Sequence, residues 1–209
     1  MQVWKSTLAD HLLRVGAIKF GEFPIKNGSI SPIYVDLRVL ISDAEALGET
    51  GVAMLDVLQH HSKFDHICGL PYAGLPIISA IMVQSLHVSA GKKLSAIYPR
   101  KEKKEYGTQK QIEGVFVSGD TVIVIDDVIT DGGAKLEFIQ ILTDAGLRVR
   151  DVLVVVDREQ GGKEALANHG YTLHSIFTLR ELIEYYLESG KVEGEMGNRV
   201  LAYLGQSVT

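Results

Sequence analysis

Apolar residues fall at two spacings along this chain. Leu8, Leu12 and Val15 within residues 7–15, and Leu47, Val52, Leu55 and Leu58 within residues 43–59, recur at the three-to-four-residue repeat of a helix with one buried face. Between them, residues 18–40 are rich in Phe, Ile, Tyr and Val and are broken at Gly21, Pro24, Asn27-Gly28 and Pro32, which predicts short strands and turns. From residue 64 the texture changes. Short apolar runs at 65–70, 94–98, 121–125, 149–156 and 172–177 predict strands. Helical patterns at 75–86, 136–145, 163–169, 179–187 and 196–204 follow or separate them. Strands that are apolar on both faces and alternate with helices predict an α/β fold, a mainly parallel sheet covered on both sides. Ligands of such sheets bind beyond the carboxyl ends of the strands, so the residues after each run matter most.

Composition narrows the class. The 209 residues hold 46% hydrophobic and 22% charged side chains, the balance of a folded domain rather than a disordered chain. Lys and Arg number 21 against 26 Asp and Glu, a formal net charge of −5, which leaves no broad basic footprint for nucleic acid. The single cysteine, Cys68, excludes an internal disulfide and a Cys/His zinc set, and points to a reducing, cytoplasmic setting. The longest apolar stretch, residues 75–83, contains Pro76 and Ser79 and falls short of the ~20 residues of a membrane helix. The first ten residues lack the layout of a signal peptide. The seven histidines show no metal-ligand spacing. Glycine is the outlier at 21 residues. Gly69, Gly74, Gly132, Gly133, Gly161 and Gly162 fall just past predicted strands, which suggests a ring of anion-binding turns.

The strongest constellation is residues 122–134, Val-Ile-Val-Ile-Asp-Asp-Val-Ile-Thr-Asp-Gly-Gly-Ala. An aliphatic strand delivers Asp126 and Asp127 to its end, and Thr130, Asp131, Gly132, Gly133 and Ala134 lead into a helix. Glycines between a strand and a helix N-terminus let backbone N–H groups converge on one point, where the helix dipole adds positive potential. Carboxylates beside such a cradle repel a phosphate but can hold sugar hydroxyls or waters on Mg²⁺. A phosphorylated sugar satisfies both halves. No Gly-Lys-[Ser/Thr] follows, so this is not a Walker A loop, and the Gly-x-Gly-x-x-Gly dinucleotide fingerprint is absent. A second constellation, Arg100-Lys101-Glu-Lys103-Lys104-Glu-Tyr106-Gly107, places four cations within five residues beyond a predicted strand. A basic loop of this kind suits a leaving group on which negative charge grows.

Residues 122–134 resemble the phosphoribosyl-pyrophosphate (PRPP) motif of the type I phosphoribosyltransferases, and residues 100–107 resemble the catalytic loop of the orotate phosphoribosyltransferases. The resemblance implies the type I fold: a mainly parallel central sheet flanked by helices, with a small hood built from residues 1–42 and the C-terminal helix. A PRPP-binding core over 64–178 would complete a single domain spanning 1–209. It also implies roles. Asp126 and Asp127 would contact ribose hydroxyls, and residues 130–134 the 5′-phosphate. Arg100, Lys101 and Lys104 would contact pyrophosphate, with Lys104 as the mobile catalytic cation, while Lys103 falls on a variable position. Residues 23–35 resemble the orotate-side segment, with Lys26 near the base and Tyr34 and Val35 alongside. Residues 68–74, Cys-Gly-Leu-Pro-Tyr-Ala-Gly, resemble the pyrophosphate-side loop, for which a non-prolyl cis peptide is an expected feature. Ala73 stands where many bacterial members carry lysine, which leaves more to Tyr72 and to backbone groups. In Asp157-Arg158-Glu-Gln-Gly-Gly162, Arg158 would grip the orotate carboxylate, although Asp157 or Glu159 could instead take it in a local ion pair. Tyr106 and residues 157–162 together also resemble the orotate domain of bifunctional uridine monophosphate synthases.

The resemblance therefore implies an Mg²⁺-dependent transfer, PRPP + orotate to orotidine 5′-monophosphate + pyrophosphate, in pyrimidine biosynthesis. The metal would be bound mainly through PRPP and water near Asp126 and Asp127. It implies a homodimer with shared active sites and no nucleic-acid or membrane partner. At this length the chain is expected to hold no separate decarboxylase domain. A purine phosphoribosyltransferase and a non-catalytic PRPP-sensing regulator share the PRPP motif and remain alternatives. The aspartate at 131 departs from the small neutral residue more usual in the family, and its side chain is expected to turn away from the phosphate.

Overall fold

The structure, a computed structural model, describes residues 3–25, 28–60, 63–87, 93–101 and 111–206. Helix α1 (Val3–Arg14) leads into an antiparallel hairpin, β1 (Ile18–Pro24) and β2 (Ile30–Val35), which forms a two-stranded sheet of its own. A 3-10 turn, Leu37–Ser42, is capped by the Asp36 carboxylate, which accepts from the Arg38 N–H. The sequence pattern gives no sign of it, because six residues are too few to display a helical repeat. Helix α2 (Ala44–Gln59) starts at Asp43, whose side chain accepts from the Ala46 N–H and is gripped by the Arg14 guanidinium.

The remaining elements are β3 (His66–Gly69), α3 (Gly74–Ser85), β4 (Ala96–Pro99), β5 (Ile112–Glu113), β6 (Thr121–Ile129), α4 (Gly133–Asp144), β7 (Arg148–Asp157), α5 (Gly162–Asn168), β8 (Thr172–Thr178), α6 (Leu179–Glu188) and α7 (Gly194–Gln206). They build a six-stranded sheet in the order β5-β4-β3-β6-β7-β8, parallel except for β5. Each helix and strand expected beyond residue 64 is present. The two-residue β5 is an addition, too short to register as an apolar run. Helix α6 opens with a capping box, in which Thr178 and Glu181 each bond the other's backbone N–H.

Both faces of the sheet are covered, as the doubly apolar strands require. Ile123, Ile125, Leu153 and Val155 belong to one buried cluster with α1, α2, α3, α6 and the hairpin. Val122, Val124, Val152 and Val154 belong to a second cluster with Ile139 and Leu142 of α4 and Leu166 of α5. The two-residue period of a strand sorts neighbouring side chains to opposite sides. The C-terminal helix returns to the N-terminal hairpin: Arg199 pairs with Glu22 at 2.9 Å. Tyr186 of α6 meets Phe20 edge to face with ring centres 6.3 Å apart, and its hydroxyl donates to the Ala9 carbonyl at 2.6 Å. Among the described residues, no helix is long and apolar enough to cross a membrane.

Candidate active site

Strands β3 and β6 lie side by side at the centre of the sheet, but the chain leaves them in opposite directions, β3 toward β4 and β6 toward β7. A crevice opens at the carboxyl ends of two strands that part in this way, and it is the usual ligand site of open parallel sheets. The turn after β3 and the acid pair of β6 meet there. The Leu70 N–H donates to the Ile125 carbonyl at 3.0 Å, and the Pro71–Tyr72 peptide is cis.

Strand β6 does not stop at Ile125. Its pairing with β7 continues through Asp126↔Val154 and Val128↔Val156 to Ile129↔Asp157. Asp126 and Asp127 therefore sit inside the strand rather than past its end. Charged residues ended the apolar run in the sequence, but a buried cation compensates them. Lys135, in the first turn of α4, is buried to 9% exposure and places its Nζ 2.6 Å from Asp126 Oδ2. The same ammonium donates to the Val128 carbonyl. Burial, and then the neighbouring Asp126 charge, push the Asp127 carboxyl well above the usual carboxylate range. Sequence reasoning missed Lys135. Its position carried a signal, since a helix dipole disfavours a cation in the first turn and this turn holds no acid.

The 130–134 loop has the expected form. Gly132 adopts φ +85 at the start of α4, a left-handed conformation that favours glycine. The Asp131 side chain is exposed but does not leave the loop: its Oδ1 accepts the Gly133 N–H at 2.9 Å. That bond uses one of the N–H groups a phosphate would otherwise meet. The glycine ring divides into two kinds. Gly69, Gly74 and Gly162 serve close packing: a Cβ on them would stand 2.8 Å from the Gly74 carbonyl oxygen, 2.7 Å from that of Ile125 and 2.7 Å from that of Thr130, respectively. Gly162 thus presses the loop after β7 against the loop after β6.

That second loop carries Arg158. Its N–H donates to the Ile129 carbonyl at 3.0 Å. Neither neighbouring carboxylate takes its guanidinium. Asp157 Oδ1 accepts the Glu159 N–H at 2.8 Å, and Glu159, at φ +57, turns to Arg180, whose N–H it accepts at 3.1 Å. The Arg158 Nε is buried with no hydrogen-bond partner among the described residues, and burial lowers the guanidinium's hold on its proton. A buried, unpaired guanidinium donor is a place for an anion.

On the other side of the crevice, Ala73 is buried at the start of α3 and Tyr72 is exposed. Lys101 sets its ammonium 5.2 Å from the Tyr72 ring centre, so two expected pyrophosphate contacts stand together. Arg100 is occupied: its guanidinium pairs with Glu113 across the β4–β5 hairpin. Tyr34 packs on Phe23 with ring centres 5.4 Å apart, and Val35 ends β2. Arg38, held by both oxygens of Asp36 at 2.7 and 2.8 Å, reaches the Asp127 charge electrostatically. Lys26, Lys103, Lys104, Tyr106 and Gly107 lie outside the described residues. Cys68 is fully buried, and burial pushes its thiol up, so it serves as a small apolar side chain. Among the described residues, no three His, Cys, Asp or Glu side chains converge as a metal cage.

No protein-family model matches the chain. Individual proteins do. Uridine 5′-monophosphate synthase of Bos taurus is 37% identical over 202 residues, covering 96% of this chain and 41% of that protein. The chain thus spans about two fifths of the length of this relative. Orotate phosphoribosyltransferase of Sulfurisphaera tokodaii is 35% identical over 208 residues, with 100% of each chain covered. Among solved structures, the UMP synthase of Leishmania donovani superposes with a TM-score of 0.86 at 36% identity, over 98% of this chain and 43% of that one. Orotate phosphoribosyltransferase of Mycobacterium tuberculosis in complex with PRPP gives a TM-score of 0.69 at 27% identity, over 86% and 98%.

Proposed function

The chain belongs to the orotate phosphoribosyltransferase family, and from that premise we propose that it transfers the phosphoribosyl group of PRPP to orotate. The observation that carries this reading is the buried, unpaired Arg158 Nε on a turn packed directly against the 130–134 loop. A cradle for a sugar phosphate and a donor for a carboxylate stand side by side, which selects a carboxylated base over uracil or a purine. The C1–O bond to pyrophosphate breaks and a C1–N bond to the base forms. Positive charge grows on the ribose as negative charge grows on the departing pyrophosphate. Residues 130–134 hold the 5′-phosphate, and Asp127 faces the ribose hydroxyls. Lys101 beside Tyr72, with Lys104 of the basic loop, stabilises the leaving group. Arg100 joins them by exchanging Glu113 for pyrophosphate. Arg158, Lys26 and the Tyr34–Val35 segment hold the base.

Among the described residues no third carboxylate, imidazole or thiol joins the pair, and with Asp126 held by Lys135 the open acid is Asp127, which would suit an ion that takes most of its oxygens from substrate and water, the habit of Mg²⁺. If bound there, Mg²⁺ would supply positive charge that offsets the acids and the phosphates of PRPP. A homodimer with shared sites follows from the resemblance. Ile41, Val52, Val83 and Leu86, exposed on the 3-10 turn, α2 and α3, are apolar surface that fits it. The lone buried thiol fits a cytoplasmic setting.

One assay tests the reading: Mg²⁺ and PRPP with orotate, uracil or adenine, following nucleotide formation. Orotidine 5′-monophosphate is the expected product, with no transfer to the other bases. Transfer to adenine instead, or no transfer combined with tight RNA or DNA binding, overturns it.

A further inference from the structure

The acid pair poses a problem of charge. A ligand with phosphate on both sides of its ribose has to approach two adjacent carboxylates, and a doubly charged pair repels it. Lys135 answers this from inside the protein. Its ammonium is buried, sits 2.6 Å from Asp126 and donates to the Val128 carbonyl within the same strand. It reaches there from the third residue of α4, directly behind the 130–134 loop. Helix dipole and desolvation both oppose a cation at this place, so the Asp126 carboxylate and the Val128 carbonyl together hold it there.

We propose that Lys135 is a positioning residue for PRPP: it neutralises Asp126 inside the protein, fixes the end of β6 beneath the phosphate loop, and leaves Asp127 as the carboxylate that meets the ribose hydroxyls. The proposal rests on the functional reading above and divides labour between two acids that the sequence motif treats alike. The expected signature is selective. Lys135 acts on the PRPP half of the site through Asp126 and the Val128 carbonyl, whereas the Arg158 turn that receives the base is tied to β6 one residue further on, through the Ile129 carbonyl.

The test compares Lys135→Met, Lys135→Arg, Asp126→Asn and the double variant Asp126→Asn/Lys135→Met. The readouts are KM for PRPP and for orotate, and the rise in Tm that PRPP with Mg²⁺ induces. Lys135→Met is expected to raise KM for PRPP by about tenfold or more, the loss of one charge-assisted contact. It should leave KM for orotate near wild type and shrink the PRPP-induced Tm rise. Lys135→Arg should recover part of the loss. In the double variant the two losses should not multiply, because the two residues act as one unit. A folded Lys135→Met protein with wild-type KM for PRPP, an equal loss for both substrates, or effects that multiply in the double variant overturns the proposal. Should Lys135→Met fail to fold because Asp126 is left buried and unpaired, the double variant and Lys135→Arg decide. The double variant is expected to bind PRPP more weakly than Lys135→Arg, and equal KM values overturn the proposal. A wild-type protein that neither transfers to orotate nor gains Tm from PRPP would defeat the functional reading itself.

Discussion

At the scale of single residues, Arg158 and Lys135 form an instructive contrast. Arg158 was legible because its residue type sits after a strand in a motif, and the structure adds that its Nε is buried without a partner. Lys135 was not legible as part of the site, because a lysine in an amphipathic helix ordinarily reads as surface. Only its pairing with a buried strand carboxylate reveals it. Arg158 also yields a direct expectation. A charge-assisted bond to a carboxylate is worth about 1.5–3 kcal/mol, so Arg158→Ala should raise KM for orotate about 10- to 150-fold. KM for PRPP should change far less. Lysine at this position retains the charge but not the planar fork, so Arg158→Lys should recover only part of the loss. Steady-state kinetics with each substrate varied in turn checks this, and an unchanged orotate KM in Arg158→Ala would remove the residue from base recognition.

At the scale of elements, the α/β alternation was readable because buried strands and amphipathic helices differ in period. What the sequence obscured is where β6 ends. A run of aliphatic residues stops at Ile125, but ladder hydrogen bonding is indifferent to side-chain charge as long as the charge is compensated, and pairing runs on to Ile129. The anion-binding reading of the glycines also changes at this scale, since several are dictated by elements pressed together. Gly162 is the clearest: an added Cβ would stand 2.6 Å from Ile129 Cγ1 and 2.7 Å from the Thr130 carbonyl oxygen. Ile129 is β-branched and fully buried, and the Thr130 oxygen is backbone of the 130–134 loop, so neither gives way cheaply. Gly162→Ala should therefore destabilise the fold by about 1–3 kcal/mol, the usual range for overpacking, and also raise KM for PRPP. Gly194, with open space around it, is the control, and Gly194→Ala should leave Tm near wild type. Thermal unfolding with PRPP kinetics reads both; a Gly162→Ala protein with wild-type Tm and KM would refute the packing argument.

At the scale of the whole molecule, the two ends of the sheet have different work. The carboxyl ends carry the acids, the 130–134 loop and Arg158. The amino ends are tied together by side chains that touch none of these. Asp65 accepts from both the N–H and the hydroxyl of Thr121 at 2.8 Å. His66, at the start of β3, bridges Ser95 at 3.0 Å and Asp120 at 2.9 Å, which links the approaches to β3, β4 and β6. Asp120 also accepts the Val117 N–H at 2.8 Å, and that bond, followed by His66, holds its carboxyl below the ordinary value of 3.8. A carboxylate depressed in the folded state contributes stability that is complete above its unfolded pKa and is lost as pH falls through its folded one. Asp127 and Asp157, raised mainly by burial, act in the opposite sense, since taking up a proton favours their folded state as pH falls. Replacing Asp120 alone should therefore isolate one sign. Asp120→Asn is expected to lower Tm at neutral pH and to flatten its fall below pH of about 4, with KM for PRPP and orotate unchanged because the residue lies at the far end of the sheet. A Tm–pH profile parallel to wild type would show that the Asp120 ties contribute nothing across the acid range. A shifted KM would show that the amino-terminal edge is coupled to the site, contrary to the separation that the topology implies.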